Sequence, residues 1–116
     1  MKLPNGENAY VDEKKLSDYI LDFTHPRGRH KARLFLSILG IEISNQRLLS
    51  EALRNAARTE NAMPFSEDQY GTRYTIRFEL ITATGSGTVN SAWMIRTGEN
   101  FPRFVTCYLE TGTKGE

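Results

Sequence analysis

From Thr72 to Leu80 the chain reads Thr-Arg-Tyr-Thr-Ile-Arg-Phe-Glu-Leu, with an apolar side chain at every second position from Tyr74 onwards. Neighbouring side chains of a β-strand point to opposite faces of the sheet. This alternation therefore predicts a strand with one buried face and one polar face.

Two more alternating segments follow and predict an antiparallel meander. The turn residues Gly85-Ser86-Gly87 predict a hairpin after the first strand. A second strand is predicted from Thr88 to Thr97, a turn from Gly98 to Pro102, and a third strand from Arg103 to Glu110. Residues 111–116 are expected to form a loose tail.

The same alternation assigns side chains of the last two predicted strands to the two faces of the sheet. Trp93 and Val105 fall on the face expected to pack against the core. Arg96 and Thr106 fall on the opposite face and flank the predicted turn, so we expect them to be cross-strand neighbours. That opposite face is expected to be free to meet a ligand.

Upstream of the meander, apolar side chains recur every three or four residues and predict three helices. The first is capped by Asp12 and runs to about Asp22, and the second spans about Arg29 to Leu39. The third begins at Ser44. Its inward side chains are expected to be Leu48, Leu49, Ala52, Leu53 and Ala56. Residues 60–71 are polar and rich in turn residues, so a loop is expected there.

Helices followed by a meander predict an α+β fold, with N-terminal helices packed on one face of a C-terminal antiparallel β-meander of three to four strands. The chain has 116 residues and is expected to form a single domain, residues 1–116. Its helical part is expected at about residues 11–59 and its sheet part at about residues 72–110. The sequence has no long apolar run and no signal-peptide pattern, which predicts a cytoplasmic protein without a membrane span.

Residues 25–33, His-Pro-Arg-Gly-Arg-His-Lys-Ala-Arg, contain both histidines and four basic side chains. Because the net charge of the whole chain is only +1, this segment is a local anion-binding signal. Arg29 and Arg33 are expected to share one face of the second helix, with His30 beside them. The helix N-terminus attracts anions, and Gly28 is expected to let an anion approach the backbone. Ion pairing of these basic groups with carboxylates elsewhere is the alternative.

A metal site is not expected, because His25 and His30 have no further ligands at suitable spacing and are surrounded by cations. The single cysteine, Cys107, alternates with Val105 and Leu109 and is expected to be a small buried residue. No carboxylate stands out as a general base.

Three stretches resemble a bacterial family of unassigned function whose members stand alone or end larger toxin-like and phage-head-like proteins. They are Leu3-Pro4-Asn5, residues 25–33, and residues 91–96 together with Pro102 and residues 104–108. The element order and the last strand, Val105-Thr106-Cys107-Tyr108, are also similar to the BECR group of metal-independent ribonucleases, which includes barnase, EndoU, colicin-type and RelE-like toxins. The proline that often closes this strand in that group is Leu109 here.

The resemblance to these ribonucleases implies an endoribonuclease toxin that needs no metal or other cofactor. A ribose 2′-hydroxyl would attack the adjacent phosphorus and leave a 2′,3′-cyclic phosphate. The implied catalytic residues are His25 and His30 for proton transfer, Arg33 and Arg96 for charge stabilisation, and Thr106 for a hydrogen bond to the phosphate. The implied RNA-binding residues are Arg27, Arg29, Lys31 and Tyr108.

Two other functions remain open at this point. The same basic segment would serve a non-catalytic module that binds nucleic acid or another anion. It would equally serve a protein-interaction domain, such as a toxin–antitoxin or phage accessory protein. A small cognate antitoxin or immunity protein is an expected partner of the toxin.

Overall fold

The computed structural model describes residues 1–111; the predicted tail from residue 112 onwards lies outside the described residues. The helical elements are α1 (Glu13–Lys15), a π-helical turn (Leu16–Ile20), α2 (Arg29–Leu39) and α3 (Arg47–Thr59). The strands are β1 (Met63–Asp68), β2 (Gly71–Ile81), β3 (Ser86–Arg96) and β4 (Arg103–Leu109). They form one antiparallel sheet in the order β1-β2-β3-β4, which confirms the α+β prediction.

Helix α2 has the predicted limits because a glycine stands at each end. Gly28 precedes its first turn, and Gly40 ends it in the left-handed conformation with φ of 69°. Phe35 and Leu39, four residues apart, are buried together with Ala32. The helix packs against β3 and β4, and Lys31 in its first turn lies beside Tyr108 of the edge strand β4.

The other two helices differ in detail from the prediction. Asp12 caps α1 as expected, since its carboxylate accepts the amide hydrogen of Lys14. Helix α3 begins at Arg47, after a short 3-10 turn, and not at Ser44. The predicted inward position of Leu48 is wrong, because Leu48 is 50% exposed. Ser50 and Ala57 are buried instead, on the helix face that meets the core. Within residues 1–111, no helix is both long and apolar enough to cross a membrane.

The prediction of a loop at residues 60–71 is wrong, because β1 lies there and pairs with β2 from Met63 opposite Thr75 to Asp68 opposite Gly71. All six residues of β1 are exposed, including the apolar Met63 and Phe65, so neither face of the strand is buried. The sheet therefore begins near residue 63 and not at residue 72.

One face of the sheet builds the core with the helices. Trp93 is fully buried there, as predicted, and its indole nitrogen donates a hydrogen bond of 2.9 Å to Ser91 Oγ. The Ser91 hydroxyl in turn donates to the carbonyl of Ile76, also at 2.9 Å. Both polar groups of this buried pair are thus satisfied.

A β-bulge in β4 reverses the predicted position of Val105. Ala92 is opposite Thr106 while the next residue, Trp93, is opposite Phe104, so Val105 is the extra residue. Phe104 therefore enters the core at 2% exposure, and Val105 is 40% exposed, so its predicted position beneath the helices is wrong.

The register also separates Arg96 from Thr106. Both belong to the face away from the helices, which we call the open face. Thr106 is opposite Ala92, however, and Arg96 lies four residues further along β3, roughly 13 Å away at about 3.3 Å per residue. The prediction that they are direct cross-strand neighbours is wrong.

Candidate nucleic-acid interface

His25 serves the local structure before α2. Its Nδ1 accepts hydrogen bonds from the amides of Arg27 and Gly28, both at 3.1 Å. Its ring packs edge-on against Tyr19 with the centroids 4.4 Å apart. Because the Nδ1 lone pair is occupied, the neutral ring carries its proton on Nε2. Nδ1 is thus not available as a base in this conformation.

Gly28 is tightly packed against Tyr19 and does not offer its backbone to a ligand. A Cβ atom at this position would lie 3.0 Å from the carbonyl oxygen of Tyr19 and 3.1 Å from Cε1 of its ring. Gly28 is buried, and its amide already donates to His25. The expected approach of an anion to the Gly28 backbone is therefore wrong.

The basic side chains at the start of α2 are exposed and form what we call the α2 basic surface: Arg27, Arg29, His30, Lys31 and Arg33. Every ion pair found among residues 1–111 lies elsewhere, as the pairs Arg47–Glu51, Arg54–Glu13, Arg73–Asp68, Arg77–Glu110 and Arg103–Glu99. Pairing with carboxylates was the alternative explanation for this basic segment. Its positive charge is instead left uncompensated within the described part of the chain.

Lys31 links this surface to the sheet. Its Nζ lies 5.3 Å from the centroid of the Tyr108 ring, within the range of a cation–π contact. Tyr108 belongs to β4 and is 39% exposed, so its ring remains accessible beside the cation. The structure thus brings Lys31 and Tyr108 together, with Thr106 two residues away on the same face of β4.

A polar row that the sequence analysis did not single out crosses the open face at Tyr108. Arg77, Asn90 and Tyr108 are opposite one another on β2, β3 and β4. The Arg77 guanidinium donates to both carboxylate oxygens of Glu110, at 2.7 and 2.8 Å, and the Asn90 amide donates to the same group at 3.1 Å. These hydrogen bonds, the one from Arg77 foremost, lower the pKa of Glu110 to about 2.

The sequence only weakly indicates this polar row. Arg77 alternates with Ile76 and Phe78, which assigns it to the polar face, and Glu110 ends the third predicted strand. Their meeting depends on the register of three strands, which alternation alone does not determine.

Arg96 lies apart from these groups. It lines a cleft of about 160 Å³, here called the Arg96 cleft, whose other polar lining groups are Tyr10, Asp12, Lys15 and Arg103. Of the nine candidate residues from the sequence analysis, only Arg96 lines this cleft, and neither histidine does. The candidate residues of the α2 basic surface therefore lie near Tyr108, whereas Arg96 lies apart from them in its own cleft.

Other kinds of site have less support in the described residues. Cys107 is buried as predicted, and burial raises the pKa of its thiol above the usual value, which disfavours the nucleophilic thiolate. Within residues 1–111, no group of three or more His, Cys, Asp or Glu side chains is arranged to hold a metal ion.

Comparison with known proteins identifies the family. Residues 2–111 match a family described as Domain of unknown function (DUF6883), and the chain therefore belongs to it. This confirms the resemblance to a family of unassigned function, and the match itself names no toxin or ribonuclease. The comparisons with curated proteins and with solved structures found no match.

Proposed function

We propose that this member of the DUF6883 family binds RNA, with phosphates held by the α2 basic surface and a base stacked on Tyr108. The observation that carries the proposal is the set of exposed basic side chains without an ion pair beside an exposed aromatic ring. Lysine and arginine contacts to phosphates supply most of the affinity for nucleic acid. Aromatic side chains add stacking with unpaired bases.

The polymer is RNA in single-stranded form. Unpaired bases of RNA can be splayed out and stacked on aromatic or guanidinium groups, which duplex DNA does not allow. The similarity of the last strand to that of metal-independent ribonucleases supports the same choice. The net charge of +1 favours a short local site over a long wrapped strand.

Fluorescence anisotropy with a labelled single-stranded RNA tests this proposal. The variant Lys31→Gln/Arg33→Gln removes two cations, while Arg47→Gln/Arg58→Gln removes two exposed arginines of α3 as a matched control. We expect the α2 variant to lose roughly fivefold in affinity per lost phosphate contact at 0.1 M salt, from a slope of about −0.7 per contact. Equal losses in both variants, or no binding by the wild-type protein, would contradict the proposal.

RNA cleavage is a second candidate function, favoured by the position of His30. Its ring is exposed, makes no hydrogen bond or ion pair among residues 1–111, and lies between Arg29 and Lys31. A histidine in this setting can carry a proton while neighbouring cations stabilise charge that develops on phosphorus. We propose His30 as the proton carrier and Arg33 as the charge-stabilising group of this reaction.

Incubation with RNA in the presence of a chelator tests the second candidate. We expect products ending in 2′,3′-cyclic or 3′-phosphate, lost in His30→Ala and retained in Arg47→Gln. His30→Ala should still bind RNA through the remaining cations. Intact RNA after incubation with the wild-type protein would remove cleavage and leave the binding function.

Cellular expression distinguishes a toxin from a binding module. A cleaving toxin should arrest growth when expressed without its cognate partner, whereas His30→Ala should not. A partner that neutralises such a toxin would need acidic groups to cover the α2 basic surface. Harmless expression of the wild-type protein would count against the toxin.

A further inference from the structure

We propose that the Arg96 cleft is a binding site for a single phosphate group. This site is separate from the α2 basic surface. The cleft lies where the N-terminal segment meets β4. Tyr10 forms a parallel bridge with Arg103, its amide donates to the carbonyl of Pro102, and its carbonyl accepts the amide of Phe104. Two backbone hydrogen bonds therefore hold one wall of the cleft in place.

The charge of the lining groups fits a phosphate ester. Three basic side chains, Lys15, Arg96 and Arg103, meet one acidic side chain, Asp12, whose carboxylate already accepts the Lys14 amide. A second acidic side chain, Glu99, is ion-paired with Arg103, so the formal excess at the cleft is one positive charge. A phosphate monoester carries about −1.5 to −2 near neutral pH, so this positive excess attracts it.

The β-bulge of β4 brings the two arginines to one face. Because Val105 is the extra residue, Arg103 is opposite Met94 on the open face. Arg96 lies two residues beyond Met94 on the same face of β3. Without the bulge, Arg103 would be directed to the face of Trp93, and Arg96 would stand alone at this end of the sheet.

Of the three basic side chains in the cleft, Arg96 has the most hydrogen-bond donors free for a ligand. Arg103 is fixed by two hydrogen bonds of 2.9 Å to Glu99 and by stacking near Tyr10 and Phe101. Lys15 donates one hydrogen bond, to the Val105 carbonyl at 3.2 Å.

The Arg96 guanidinium makes no hydrogen bond or ion pair within residues 1–111. Hydrogen bonding to Arg103, with a smaller contribution from the charge of Arg96, keeps the pKa of Glu99 below its usual value. Arg96 thus lies near a carboxylate that Arg103 already occupies. An incoming phosphate would receive bidentate hydrogen bonds from the planar guanidinium.

The size of the cleft limits what enters it. Its volume of about 160 Å³ is below the range of roughly 300–1,000 Å³ that is usual for whole small-molecule ligands. A phosphate group fits within such a space, and the rest of its carrier would extend into solvent across the exposed Val105.

Titration of the full chain with inorganic phosphate, followed by NMR at constant ionic strength set with chloride, tests this site. We expect saturable shifts in residues around the cleft and a loss of affinity of at least about tenfold in Arg96→Gln, as one charge-assisted contact is removed. The exposed, unbonded Arg96 can be replaced without disturbing the core. Arg47→Gln should bind phosphate like the wild-type protein.

The same titration separates this site from the RNA surface. The Lys31→Gln/Arg33→Gln variant should bind phosphate normally, even if it no longer binds RNA. Unchanged affinity in Arg96→Gln, absence of saturable shifts, or loss of phosphate binding in the α2 variant would overturn the proposal.

Two RNA strands of one sequence identify the source of the phosphate. If a 5′-phosphorylated strand binds more tightly than its 5′-hydroxyl counterpart, and Arg96→Gln abolishes the difference, the site takes an RNA terminus. Equal affinities together with saturable phosphate binding support a small phosphate ester.

Discussion

The ammonium nitrogen of Lys31 lies 5.3 Å from the centre of the Tyr108 ring, so the first turn of α2 and the last strand of the sheet meet at one exposed point. A lysine and a tyrosine far apart in sequence thus combine a phosphate-binding charge with a stacking surface. Neither side chain is needed to fill the core, since both are exposed.

Replacing Tyr108 separates stacking from the rest of the binding site. Tyr108→Ala should lose about 1–3 kcal/mol of RNA-binding free energy, the range measured for base–aromatic stacking. Tyr108→Phe keeps the ring and should bind nearly as well as the wild-type protein. Anisotropy titrations measure both, and equal weakening in the two variants would show that the ring is not what contacts the RNA.

The two histidines should differ in their effect on stability. His25→Ala leaves the amides of Arg27 and Gly28 without their acceptor, so we expect a loss of about 1–2 kcal/mol in the free energy of unfolding. His30→Ala removes an exposed ring and should change stability by less than about 0.5 kcal/mol.

Urea denaturation measures both histidine variants. His25→Asn supplies another acceptor and should recover part of the loss. The expectation fails if His25→Ala is as stable as His30→Ala.

Ser91 is predicted to stabilise the core through Trp93. Ser91→Ala removes the acceptor of the buried indole N–H and should cost about 1–3 kcal/mol. Ser86→Ala, the same substitution at an exposed position of β3, is the control and should be nearly neutral. Thermal and urea unfolding compare the two variants; a neutral Ser91→Ala would show that the indole finds another acceptor.

The Arg77–Glu110 pair should make stability depend on acid pH. The pKa of Glu110 in the folded chain is about 2, below its ordinary value of 4.5. The pair therefore stabilises the folded chain fully above about pH 4.5, and this contribution is lost as the pH falls towards 2.

The Arg77→Gln variant tests that pH dependence. It should be less stable than the wild-type protein at neutral pH, and the difference should shrink between pH 4.5 and 2. Arg58→Gln, whose arginine bonds an amide and no carboxylate, is the control. A difference that stays constant over this pH range would contradict the assignment.

The sequence predicts elements best where local signals agree. Helix α2 has a glycine at each end and an apolar stripe between them, so its limits follow from the sequence. Strand β1 has no buried face, because all its residues are exposed, and its pairing with β2 makes it a strand. The bulge at Val105 changes the face that the preceding residues Phe104 and Arg103 occupy, which periodicity cannot foresee.

The candidate site was predicted only in part for a similar reason. The density of cations at residues 25–33 marks the α2 basic surface without reference to the fold. The occupied Nδ1 of His25 depends on the exact conformation of the turn before α2. The contact of Lys31 with Tyr108 and the row that includes Glu110 depend on tertiary geometry. Composition shows which groups are available, and the register decides which of them meet.

An NMR titration of the isotope-labelled chain with a short single-stranded RNA tests the central claim most directly. RNA binding at the α2 basic surface predicts the largest amide shifts at residues 29–33 and at Tyr108, weakening steeply as salt is raised. Shifts concentrated on α3 or on β1, or no shifts at low salt, would contradict it.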